Sequence, residues 1–145
     1  MFKRVLVAVD GSSTSTAALT HALEVVKAFH ADLIIVTVYD AAPIVGAGFD
    51  YGYMQTQYIE AAKAQAEKTI KDARELVERS GIEAETRIIE SHRTWSGIID
   101  TAIASKVDLI VMGSHGLSGL DKLVMGSVTQ RVLQHTNLPV MVVRD

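Results

Sequence analysis

Four stretches of the chain are apolar with a single polar position among them, Thr37: residues 5–9, 33–38, 109–112 and 140–143. A strand with one wet face would alternate apolar and polar positions. Such runs predict strands covered on both faces, as in a parallel sheet under helices. A fifth stretch, residues 85–90, is more polar and is predicted at a sheet edge. Helical spacing fills the gaps. Residues 13–29 carry Leu19, Ala22, Leu23 and Val26 on one face, with Ser12 or Ser13 as N-cap. Residues 55–80 carry a stripe of Ile59, Ala62, Ala66, Ile70, Ala73 and Val77, closed by Gly81, with Glu67–Lys71 and Glu75–Arg79 as outer pairs. Residues 94–105 turn Ile98, Ile99, Ala102 and Ile103 inward, and a fourth helix follows Ser127 over 128–136. The segment 40–54, with Gly46, Gly48, Gly52, Phe49, Tyr51 and Tyr53, reads as a loop without secondary structure.

The order is β-α-β-α-β-α-β-α-β. Right-handed crossovers then predict one α/β domain over residues 1–145: a doubly wound, mainly parallel five-stranded sheet with helices on both faces. In the natural strand order, 3-2-1-4-5, the chain leaves strands 1 and 4 in opposite directions. Ligands sit at such a switch point, beyond the carboxyl ends of the strands. Asp10 ends the first strand, and Gly113 opens the loop after the fourth.

That loop is rich in glycine. Gly113, Gly116 and Gly126 stand between a buried strand and a helix, with Ser127 directly after the last. Glycine lets backbone approach an anion, and a helix start offers unpaired N–H groups and a positive dipole end. The arrangement predicts a phosphate site, with donors from the backbone of His115, Gly116, Ser127 and Val128 and from the hydroxyls of Ser127 and Thr129. No Gly-Lys-Ser/Thr follows, so this is not a Walker loop, and the spacing is not the dinucleotide fingerprint. Asp10 either caps the first helix or contacts a ligand, by accepting from ribose hydroxyls or by helping to hold Mg²⁺ with phosphates. Lys122 lies near the phosphates or is an exposed charge. The histidines at 21, 30, 92 and 135 are scattered and have no metal-ligand spacing. His115 is read as contributing its backbone, with a ring that is solvated or stacked, and Trp95 as packing locally.

Gly113-x2-Gly116-x9-Gly126-Ser127, together with residues 4–12, 31–38 and 126–143, resembles the ATP-binding branch of the universal stress proteins over the whole chain. The resemblance implies the same fold and strand order. It implies a nucleotide site at Ala8, Val9, Asp10, Val38, Met112, Gly113, His115, Gly116, Gly119, Gly126, Ser127, Val128 and Thr129. Within it Asp10 lies near the ribose, or near a nucleotide-bound Mg²⁺, and the Val38 backbone meets the adenine edge. It also implies a homodimer paired through the last strand. Where relatives often carry Gly-x-Pro before the third helix, this chain has Ser91-His-Arg-Thr-Trp95.

Composition narrows the alternatives. The chain is 48% apolar and 21% charged with a net charge of −3, which is globular and offers no basic patch for nucleic acid. It has no cysteine, so disulfides and thiolate metal sites are excluded. No apolar run approaches the ~18 residues of a membrane span, and the N-terminus enters a strand at once without a signal-peptide pattern. The expectation is a cytoplasmic, regulatory, stress-response protein that binds ATP, or AMP or ADP, with or without Mg²⁺. It acts through occupancy, dimerisation and an unidentified protein partner. The alternatives are a slow ATPase or nucleotidyl transferase, and a scaffold that binds no nucleotide.

Overall fold

A computed structural model describes residues 1–41, 51–117 and 124–145. The elements are β1 (Arg4–Ala8), α1 (Ser13–Phe29), β2 (Asp32–Tyr39), α2 (Tyr51–Arg79), β3 (Ala84–Glu90), α3 (Thr94–Ala104), β4 (Leu109–Gly113), α4 (Ser127–His135) and β5 (Val140–Val143). The five strands form one sheet in the order β3-β2-β1-β4-β5, parallel throughout. The polar strand β3 is an edge, as its sequence predicts.

The apolar runs are explained by two cores. Val5 and Val7 of β1, Leu33 and Ile35 of β2, and Leu109 and Val111 of β4 pack under α1 and α2. Their neighbours Leu6, Ile34, Val36, Ile110 and Met112 pack under α3 and α4. Successive side chains point to opposite faces, and both faces are dry.

Three features prepare the switch point. β1 ends at Ala8, short of the expected Asp10, and the chain turns at Gly11, which takes φ of 88°, a left-handed conformation that strains any other residue. Ser12 then caps α1, its hydroxyl accepting from the Ser15 N–H at 3.2 Å. The β1–β4 register, Val7 opposite Val111, brings Asp10 level with the loop after β4.

Several expectations need correction. α2 begins at Tyr51 rather than at residue 55, so Tyr51, Gly52, Tyr53 and Met54 are helical. A single glycine near a helix start is a small penalty beside a long favourable stripe. The remainder of the expected loop, 42–50, lies outside the described residues. Along α2, Ala66, Ile70, Ala73 and Val77 are buried, whereas Ile59 and Ala62 are only half-buried. The i,i+4 pair that closes on its outer face is Lys68–Asp72 at 2.9 Å, in place of those predicted, and Asp72 raises the pKa of the Lys68 ammonium. Ile103 is 65% exposed, because it lies about 90° round the helix from the centre of the Ile98–Ile99–Ala102 face.

Candidate functional site

A cleft of about 490 Å³ opens beyond the carboxyl ends of β1, β2 and β4, on the face covered by α3 and α4. That volume suits a small ligand. Its floor is apolar: Ala8, Val36, Val38 and Met112 from the strands, with Ile98 of α3 and Val128 of α4. Parity selects these strand residues, since 36 and 38 share one face of β2. The rim is polar and glycine-rich: Asp10, Ser15, Thr94, Gly113, His115, Gly116, Gly126, Ser127 and Thr129.

Every residue expected at a nucleotide site lines this cleft, with one exception. Gly119 lies outside the described residues, as does Lys122. Five lining residues were not expected: Ser15, Val36, Thr94, Ile98 and Leu117. The Val36 signal was available, two positions before Val38. Thr94 and Ile98 are an i,i+4 pair on the first turns of α3, and their inclusion depends on how that helix crosses the sheet.

The three motif glycines serve close packing within the protein. None has positive φ. A Cβ at Gly113 would lie 2.9 Å from Thr14 Cβ and 3.0 Å from its carbonyl carbon, where α1 crosses β4. At Gly126 it would lie 3.1 Å from His115 Cα, and at Gly116 2.5 Å from Asp10 Oδ2. The loop is thereby drawn tightly against β1 and α1.

Asp10 does not cap α1, a role that falls to Ser12; it braces the turn before the helix and the loop after β4. Its Oδ1 accepts from the Ser12 N–H at 2.9 Å and from the Ser12 hydroxyl at 2.5 Å, while Oδ2 accepts from the Leu117 N–H at 3.3 Å. It is the carboxylate among the described lining residues. No cluster of three His, Cys, Asp or Glu able to hold a metal exists among the described residues. One carboxylate fits Mg²⁺ that arrives with phosphates, and does not fit a protein-held ion.

α4 starts open. Gly126 is its N-cap and has no side chain to cap the helix, and its first turn carries no acidic residue. The first bond back into the helix runs from the Gln130 N–H to the Gly126 carbonyl, at 3.0 Å. The N–H groups of Ser127, Val128 and Thr129 precede that bond, on three residues that line the cleft. The Thr129 hydroxyl, expected to meet the ligand, instead donates to the Gly113 carbonyl at 2.8 Å and ties α4 to β4. Ser127 remains exposed.

The His115 ring is neither solvated nor stacked. Its side chain is 9% exposed, wedged between Thr14 and Asp145. The stacked pair is Trp95 with His135, centroids 4.2 Å apart, so Trp95 packs between α3 and α4 and not locally as expected.

The sequence profile of the Universal stress protein family matches residues 1–144. Universal stress protein YxiE of Bacillus subtilis is 34% identical over 149 aligned positions, covering 99% of this chain and 100% of its own. The structure of universal stress protein UspA from Lactobacillus plantarum is similar with a TM-score of 0.84 and 26% identity, over 98% of this chain and 97% of that one. A universal stress protein solved in complex with cAMP is similar with a TM-score of 0.72 and 25% identity, over 99% and 97%.

Proposed function

The chain belongs to the universal stress protein family, and from that premise we propose that it binds ATP, or AMP or ADP, as a regulatory ligand. The observation that carries the reading is the uncapped start of α4 facing an apolar floor across one cleft. Uncapped N–H groups and the helix dipole suit phosphate, and the floor of Val36, Val38, Ile98 and Met112 suits a flat aromatic base. The backbone of β2 adds a polar edge for that base. The Val36 carbonyl accepts from the Val9 N–H at 2.9 Å, so Val38, two residues on, turns its N–H and carbonyl to the same side. The last β1–β2 rung is Ala8 opposite Val36, and no rung of β1 reaches Val38. Asp10 is within reach of a ribose, or of Mg²⁺ on the phosphates, where the ion would offset their charge. The cAMP complex of a related protein supports an adenine nucleotide.

Occupancy, not turnover, is the proposed mechanism. It changes which oligomer or protein partner is favoured, and it does so only by the difference in nucleotide affinity between the two states. The proposed oligomer is a homodimer through β5. That strand is an apolar sheet edge, with Val140, Met141 and Val142 half-buried.

The test is to denature the purified protein and identify any nucleotide in the supernatant by absorbance and mass. The stripped protein is then titrated calorimetrically with ATP, ADP, AMP and cAMP, with and without Mg²⁺. A Kd in the micromolar range for at least one is expected. No heat and no co-purified nucleotide at about 1 mM ligand, a threshold near −4.1 kcal/mol, would overturn the reading.

A further inference from the structure

We propose that Asp145 is a positioning residue that holds the His115 imidazole from behind the phosphate-facing loop and keeps that loop in its binding shape. The proposal rests on the nucleotide reading above.

Asp145 lies two residues beyond β5. Its Oδ2 accepts from the hydroxyl of Ser13, the first residue of α1, at 2.7 Å. Its Oδ1 is 3.6 Å from His115 Nε2, a nitrogen shielded from solvent that makes no hydrogen bond of its own. The other ring nitrogen, Nδ1, is 3.5 Å from Thr14 Oγ1. That hydroxyl donates its single proton to the His115 carbonyl at 2.6 Å, so it presents a lone pair to the ring. Both ring nitrogens therefore face acceptors.

The consequence for the cleft is geometric. Thr14 is fully buried, and neither Thr14 nor Asp145 lines the cleft. Together they hold His115 by its ring and its carbonyl. The carbonyl dipole is turned into the protein, which leaves the donors of the loop, and not this acceptor, for an anion. The same stretch is tied once more to the end of β5, by the Ser114 N–H donating to the Val143 carbonyl at 2.8 Å. Asp145 is thus the side-chain half of a two-point clasp. Its charge lies behind the ring instead of against the ligand.

The test uses the full chain in four forms: wild type, Asp145→Asn, His115→Ala and the double variant, with Asp145→Glu as rescue. ATP and AMP affinities are measured by calorimetry. The ring ¹⁵N resonances of His115 are recorded on ligand-free protein. Asp145→Asn keeps an acceptor for Ser13 and removes the charge facing Nε2. We expect it to shift the His115 ring resonances and weaken nucleotide binding about three- to tenfold, with Asp145→Glu recovering most of the loss. In the His115→Ala background the same change should have less than about a twofold effect, because coupled residues are non-additive. Unchanged ring resonances, or an equal loss in both backgrounds, would overturn the proposal. If the wild type binds no nucleotide, the functional reading fails by itself, and the ring resonances alone decide whether Asp145 holds His115.

Discussion

Gly113 and Gly116 show how one missing methyl group sets the position of a whole loop. At Gly113 the neighbour is the Thr14 backbone, which cannot rotate away. Gly113→Ala should push α1 from β4 and destabilise the fold by about 1–3 kcal/mol, the usual range for overpacking. Urea unfolding checks this, and an unchanged midpoint would contradict the close approach of Thr14 to Gly113. At Gly116 the neighbour is the Asp10 carboxylate, which can move but is bonded to Ser12 and Leu117. Gly116→Val should therefore weaken nucleotide binding at least about tenfold, or ~1.4 kcal/mol, by displacing Asp10 and the loop together. Calorimetry on the folded variant decides it. The spacing of the glycines was legible in the sequence, but their reason was not. Room for phosphate predicts open space at each Cβ, whereas the atoms that a Cβ would meet belong to residues as distant in sequence as Thr14 and Asp10. The same limit explains His115, whose ring contacts Thr14 and Asp145 from opposite ends of the chain.

At the scale of elements, pattern carried the reading well. Apolar runs located the sheet, polar β3 was legible as an edge, and the switch point followed from element order together with the strand order that the family resemblance implies. Which residue faces outward at a margin was less legible. Ile103 sits at the boundary of its helix face, and Val143, on the edge strand expected at a dimer interface, is 5% exposed in the core under α1 and α2. The ladder supplies a better probe of β5. The carbonyls of Pro139 and Val143 turn to β4, so the N–H and carbonyl of Val140 and Val142 turn away from it. Val142→Pro removes an outward donor and leaves every β4 bond in place, as edge strands tolerate. It should convert the proposed dimer to a folded monomer by light scattering. A dimer that survives this change pairs through some other surface.

For the molecule as a whole, the geometry of the cleft supports the proposed holding of a ligand over its chemical conversion. The His115 ring is clasped between Thr14 and Asp145, and Asp10 already accepts three hydrogen bonds. Neither is aimed at an attacking water, so hydrolysis of ATP should fall far below the ~1–100 per second of phosphoryl-transfer enzymes, and His115→Ala should leave it unchanged. Single-turnover assays with Mg²⁺ test this. Turnover above about one per second that His115→Ala abolishes would make the protein an enzyme. Nucleotide at 100 times its Kd should add about 2.7 kcal/mol and raise the melting temperature by about 5–10 °C. The cleft also straddles β1 and β4, the longest closure in the sheet: the Arg4 N–H donates to an Asp108 carboxylate oxygen 104 residues further on. A ribosome must therefore release most of the chain before any binding surface exists, and nucleotide can have no part in guiding the early steps of folding. Its effect should fall on the way out, as a slower unfolding rate with an unchanged refolding rate, so that protein loaded as proposed would outlast unloaded protein without being made any faster.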